Sequence, residues 1–155
     1  MEMLTTLKEG LPLLGLELPE NTCSTLCEFG RGVVKQNEVM NLTAITEDDK
    51  VARLHFADCL YLLSCEDLKG KKIIDIGCGG GFPSLPIKIV RDDVDMTMVD
   101  STEKKIRYVT STAEKLGLVR VSPIATRAEE MAKKGEYRER FDVVTARALA
   151  RLNVL

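Results

Sequence analysis

Apolar residues change their spacing once along this chain, near position 70. Before it they recur at mixed three- and four-residue intervals, and residues 1–66 read as helical. Asn21 and Thr22 can cap a helix that carries Cys23, Leu26, Cys27, Phe29, Val33 and Val34. Asn41-Leu42-Thr43-Ala44-Ile45-Thr46 breaks that pattern. Thr46 then caps a second helix, with Glu47, Asp48 and Asp49 in its electropositive first turn. The apolar face of that helix is Val51, Leu54, Phe56, Leu60, Leu62 and Leu63. From Lys71 short apolar runs alternate with helical stretches. Strands are expected over 73–76, 96–99, 119–124 and 141–145, and helices over 83–90, 102–116 (ended by Gly117) and 127–134. This alternation predicts an α/β core, a parallel sheet covered on both faces. Right-handed crossovers put the C-terminal ends of all four strands, and so the ligand site, along one edge. The chain divides into an N-terminal helical region, 1–66, and an α/β core, 67–155. Its last eight residues, Ala148-Leu149-Ala150-Arg151-Leu152-Asn153-Val154-Leu155, read as a helix cut off mid-course, so the core is expected to be truncated at its C-terminus.

Composition narrows the class. At 155 residues, 45% hydrophobic and 30% charged, the chain suits one globular domain. Apolar runs are too short to span a membrane, and the N-terminus carries no signal peptide, so a cytoplasmic protein is expected. The cysteines Cys23, Cys27, Cys59, Cys65 and Cys78 form no CxxC pair, and His55 is the single histidine. No metal site is expected; the thiols read as small buried apolar groups. Residues 1–100 hold 10 Lys and Arg against 17 Asp and Glu, whereas 101–155 hold 12 against 7. The basic second part suits a polyanion partner or simply solvated helix faces.

The densest signal is Asp75-Ile76-Gly77-Cys78-Gly79-Gly80-Gly81-Phe82, between a strand and a helix that opens with Pro83. Such a turn sets backbone amides against a nucleoside cofactor. Phe82 stands where the dinucleotide fingerprint has its third glycine, and no GK[ST] follows to make a P-loop. Asp75, Gly77, Gly79 and Gly81 fill acid-x-Gly-x-Gly-x-Gly, which looks like the first motif of class I methyltransferases that use S-adenosylmethionine (SAM). SAM offers an ammonium, a carboxylate, a sulfonium and a ribose diol. Asp75 either lies near the ammonium or holds the loop's own amides. Asp100 ends the next strand, 23 positions after Gly77. It suits the ribose hydroxyls, or else caps the helix beginning near Thr102; the ribose role is preferred, since Ser101 or Thr102 can cap instead. His55 and Asp58 are three apart on one helix and share a face. A general-base role is possible, but a helix-surface or interdomain hydrogen bond is preferred.

From Asn41 onward the chain resembles the bacterial 16S ribosomal RNA guanine-N7 methyltransferases, also called the glucose-inhibited division protein B family. The segments that carry the likeness are Asn41-Leu42-Thr43-Ala44-Ile45, His55-Phe56-Ala57-Asp58-Cys59-Leu60, the glycine turn through Pro83, Val99-Asp100-Ser101, Lys104-Lys105-Ile106-Arg107, Arg127-Ala128-Glu129-Glu130 and Phe141-Asp142-Val143-Val144-Thr145-Ala146-Arg147-Ala148. The resemblance implies a class I, Rossmann-like methyltransferase core and SAM contacts at Gly77, Phe82, Ala128, Glu129 and Arg147. Gly77 would bring backbone close, Phe82 would pack on apolar parts of the cofactor, and Ala128 and Glu129 would meet the adenine. Arg147 would sit at the mouth of the site, unless it makes a plain structural ion pair. The implied reaction methylates N7 of a guanine in 16S ribosomal RNA, free or in the small ribosomal subunit. N7 has a lone pair and no proton, so no catalytic base is assigned and alignment carries the rate. Lys104, Lys105, Arg107, Lys133, Lys134, Arg138 and Arg140 are candidates for RNA phosphates, with Arg127, Arg147 and Arg151 nearer the pocket. The protein is expected to act as a monomer. Other readings are a SAM methyltransferase for another RNA base or for protein, and a nucleotide-binding module without catalysis.

Overall fold

In the chain's structure, a computed structural model that describes residues 2–42, 47 and 50–147, helices come before position 70 and strands alternate with helices after it. The first part is helical: α1 (Glu2–Gly10), a 3-10 turn (Leu11–Leu14), α2 (Glu20–Met40), and a π-helical stretch (Val51–Ala57) that runs on into α3 (Asp58–Cys65). The second part alternates β1 (Lys72–Ile76), α4 (Ser84–Val90), β2 (Asp95–Asp100), α5 (Glu103–Lys115), β3 (Val121–Ala125), α6 (Ala128–Ala132) and β4 (Val143–Ala146).

The expected apolar face of α2 is present: Cys23, Leu26, Cys27, Phe29 and Val33 are buried. Its cap is not where it was expected. The helix starts two residues earlier, because Pro19 sets the chain direction and its carbonyl accepts from Cys23 N at 3.1 Å. Asn21 and Thr22 thus lie inside the first turn, where the Asn21 carbonyl accepts a bond from Thr25 Oγ1. The second expected face also shifts. Val51, Phe56 and Leu60 are fully buried, but Leu54 is 53% exposed. The reason is the π-helical turn, whose i to i+5 bonding brings residues five apart onto one side and rotates Leu54 outward. The expected cap Thr46, with Asp48 and Asp49, lies outside the described residues, as does the segment 148–155.

All four strands are parallel, in the order β3-β2-β1-β4. β3 begins at Val121 rather than 119, because Arg120 takes a positive φ of 54° that no regular strand allows. β4 begins at Val143; just before it, the Asp142 amide donates to the Lys72 carbonyl at 2.8 Å and Asp142 Oδ2 accepts from the Lys72 amide at 2.9 Å. Gly117, at φ 68°, ends α5 as expected. One sheet face buries Ile73, Met96 and Met98 in a core shared with Met3, Leu26, Phe29, Phe56 and Leu85, so the helical region packs into the same core as the sheet. Burying each of those large side chains stabilises by roughly 1.5–3 kcal/mol. The opposite face carries Ile74, Val99 and Met131, with Ile76, Ile124, Tyr137 and Phe141 partly buried against them. Among the described residues that face is the thinner layer, and Val144 on β4 is 61% exposed. No described helix is long and apolar enough to cross a membrane.

The strand order fixes the site. From β1 the chain steps one way to β2 and β3, then returns to place β4 on β1's other side. The crevice between the carboxyl ends of β1 and β4 is therefore the topological switch point, where ligands bind in open α/β sheets.

Candidate functional site

The glycine turn leaves β1 at this switch point. The Gly77 and Cys78 amides both donate to the Val99 carbonyl, at 2.7 and 3.0 Å, which ties the turn to the end of β2. Gly77, Gly79 and Gly81 have positive φ of 70°, 51° and 97°. Gly81 is doubly constrained, because a Cβ there would lie 2.7 Å from Leu85 Cδ1. The turn can therefore sit flat on the start of α4 only as glycine.

Asp100 closes the turn from the other side. Its Oδ2 accepts from Gly79 N at 3.0 Å and its Oδ1 from Thr102 N at 2.8 Å. Thr102 holds the N-cap position of α5 without a side-chain bond of its own, so Asp100 joins the turn to the entry of that helix. Each carboxylate oxygen keeps a further lone pair for another donor.

Asp75 lies beneath the turn, fully buried. The register sets Thr145 beside it, and Thr145 Oγ1 donates to Asp75 Oδ1 at 3.0 Å. Burial pushes the carboxyl up to about 6; the nearby polar groups of Ser84, the Thr145 hydroxyl and Arg147 offset part of that rise. Even so, Asp75 Oδ2 and Ser84 Oγ are both buried with no hydrogen bond of proper geometry among the described residues. Orphaned buried oxygens of this kind suit a polar ligand group or a bridging water.

Phe82 joins the glycine turn to the helical region through ring contacts. Its ring stacks on His55 at 4.4 Å and 24°, and meets Phe29 at 5.2 Å and Phe56 at 6.2 Å. The peptide between Phe82 and Pro83 is cis. Burial, and then Arg147, hold the His55 imidazole below its usual range, against the opposing pull of Asp58. Asp58 reaches out of the helical region to pair with Arg147, its Oδ2 lying 3.1 Å from Nη2. Arg147 Nη1 also donates to Cys59 Sγ at 3.2 Å. Burial pushes the Cys59 thiol up to about 12, so it stays a neutral acceptor. Asp58, expected to make a helix-surface or interdomain hydrogen bond, thus makes an ion pair with Arg147.

Gly77, Asp100 and Arg147 thus occupy three neighbouring strand ends. Ala128 and Glu129 open α6, beyond the end of β3, which is linked inward by the bond from Thr126 N to the Asp100 carbonyl at 3.1 Å. Ala128 lines a cleft of about 450 Å³ with Ile76, Met131 and Tyr137, and Glu129 is exposed. The basic candidates separate. Lys104, Lys105 and Arg107 stand on the first turns of α5, at the carboxyl edge. Arg140 precedes β4 and lines a cleft with Lys72, Asp95 and Arg120 at the amino edge. Among the described residues no cluster of three or more His, Cys, Asp or Glu side chains could hold a metal ion. Sequence reasoning missed Ser84, Thr145 and Cys59 as site neighbours, since each takes its place only through strand register or helix packing.

The family model for rRNA small subunit methyltransferase G matches residues 22–155. The chain belongs to this family. A ribosomal RNA small subunit methyltransferase G from Clostridium perfringens (strain 13 / Type A) is 40% identical over 156 residues, covering 100% of this chain and 65% of the relative. One from Lactobacillus delbrueckii subsp. bulgaricus (strain ATCC BAA-365 / Lb-18) is 46% identical over 130 residues, 82% of this chain and 54% of the relative. One from Desulforamulus reducens is 37% identical over 155 residues, 99% of this chain and 65% of the relative. The chain spans 65% of the length of the first of these relatives. The family match takes in α2 from its third residue, the glycine turn, Phe82 and Arg147, and α1 lies ahead of it.

Proposed function

We propose that the chain carries the SAM site of a methyltransferase acting on N7 of a guanine in 16S ribosomal RNA, alone or in the small ribosomal subunit. The observation that carries the reading is the glycine turn stapled to Asp100 at the switch point, in a chain of this family. When bound, SAM supplies a methyl group on a positively charged sulfonium. The chain's own residues would hold it. The Gly77 backbone would lie against its methionine and ribose portions, and Asp100 would use its remaining lone pairs on the ribose hydroxyls. Ala128 and Glu129 would meet the adenine. Phe82, whose ring packs on Phe29, His55 and Phe56, would contribute through whatever edge those contacts leave open. Arg147 would face the mouth. Guanine N7 has no proton to remove, so no residue is assigned as a base, and the fold's part is alignment and exclusion of water.

Lys104, Lys105 and Arg107 fit the RNA side best, because they share the carboxyl edge with the site. A helical region over 1–66 serving a SAM-binding core over 67–155, and a monomer working in the cytoplasm, complete the proposal. The test is a methyl-transfer assay on small ribosomal subunits and on naked 16S RNA, with calorimetry of SAM and its demethylated product beside it. Binding with transfer to guanine N7 is the expected result. SAM binding without transfer to ribosomal RNA would move the substrate to another RNA or a protein. Failure to bind either compound would leave a module of another kind.

A further inference from the structure

We infer that Asp58 is a positioning residue for Arg147: it clamps one edge of the guanidinium so that the other edge is offered to an anionic group of the ligand at the switch point. This rests on reading Arg147 as part of the cofactor site. Arg147 leaves the sheet just after Ala146, whose strand partner is Ile76, the residue before Gly77. Its backbone thus stands across the crevice from the glycine turn. The side chain turns toward α3, where Asp58 Oδ2 takes Nη2 at 3.1 Å and Cys59 Sγ takes Nη1 at 3.2 Å.

A guanidinium is a rigid plane with five N–H donors. Two neighbouring residues of one helix hold the Nη1 and Nη2 groups, which leaves donors free to meet a carboxylate. A long side chain without such a clamp would keep its rotamer freedom and lose it only when ligand binds, which weakens binding. Stability is a poor explanation for the pair. The Asp58 and Arg147 side chains are 63% and 36% exposed, and exposed pairs contribute little to folding. Nor does either residue belong to the shared hydrophobic core. The clamp also crosses the boundary near position 70: the acid comes from the helical region, the base from the last described strand end. It therefore gives the helical region a part in the site that burial alone does not.

The test is calorimetric titration of SAM into the wild-type chain and into Asp58→Asn, Asp58→Glu and Arg147→Lys. Asp58→Asn is expected to weaken binding roughly three- to tenfold, as coupled neighbours do. Asp58→Glu restores most of it, Arg147→Lys loses at least as much as Asp58→Asn, and thermal midpoints stay where they were. In the ligand-free protein, the Arg147 Nη2 protons, which face Asp58, should exchange slowly in the wild type and rapidly in Asp58→Asn. Tighter SAM binding by Asp58→Asn would show that the acid competes for the guanidinium, and unchanged binding would reduce it to a surface pair. Either result overturns the inference while leaving the cofactor site intact. A wild-type chain that does not bind SAM overturns the site reading itself.

Discussion

Two charged side chains are buried at opposite edges of the sheet, and they are treated differently. Lys88, near the end of α4, sits at the amino edge with 1% of its surface exposed. Its ammonium donates to the carbonyls of Asp92 and Val94, and Arg120 donates to the Asp92 carbonyl as well. That charge is a staple for the loop into β2. Asp75, at the carboxyl edge, has one oxygen bonded to Thr145 and one left over beside an equally unbonded Ser84 hydroxyl. A buried polar group without a partner costs about 1–3 kcal/mol. The fold meets the needs of the first charge and leaves the second incomplete, and the incomplete one lies where the family's cofactor is expected. Unused hydrogen-bonding capacity in a buried position suits a polar ligand group or a bridging water.

This contrast can be broken at several points. The largest effect should come from Lys88→Met, which strands two loop carbonyls. Urea unfolding should show a loss of about 3 kcal/mol, with SAM affinity unchanged in the folded fraction. Next comes Gly81→Ala. Its positive φ and the clash with Leu85 should cost about 2 kcal/mol, and calorimetry should show SAM affinity falling by an order of magnitude or more, because the turn itself must move.

Asp75→Asn should act in the opposite sense on stability. The carboxyl titrates at about 6 in the folded chain against an ordinary value of 3.8. Between those values the folded state binds more protons, so wild-type stability falls as pH rises through the window and stays lower above it. Asparagine has no such slope. The variant should match the wild type near pH 4 and exceed it by about 1–2 kcal/mol at pH 7.5, a gain limited by the amide's own unmet bonds. If Asp75 serves the cofactor, that more stable protein should bind SAM more weakly; equal binding would return Asp75 to holding the loop. The smallest stability change belongs to Asp100→Ala, about 1 kcal/mol for two half-exposed amide bonds. Its SAM affinity should nonetheless drop about tenfold or more, and equal affinity would make Asp100 a cap and nothing else.

The elements themselves were largely legible. Alternating short apolar runs and helical stretches located all four strands to within two residues, because a strand buried in a parallel sheet needs an apolar run wherever it sits. The departures have local causes. Pro19 moved the start of α2, the positive φ of Arg120 delayed β3, and the π-helical turn swung Leu54 out of the core. Two of these are backbone conformations that residue type does not announce.

The site divides in the same way. Asp75, the glycines and Asp100 are close in sequence or fixed by the strand-turn-helix unit, so their chemistry and spacing could be read from the chain alone. That the acid before the turn is buried with one oxygen unspent could not. It depends on Thr145, 70 residues away, arriving opposite Asp75 through the β1–β4 register. Likewise the sequence placed Arg147 at a strand end and Asp58 on a helix face, but their pairing exists only because the helical region packs onto the sheet. Local order follows from residue type and spacing, since backbone preferences act over a few residues. Which distant groups meet, and which of their polar atoms are left for a ligand, was decided by the packing of the whole fold.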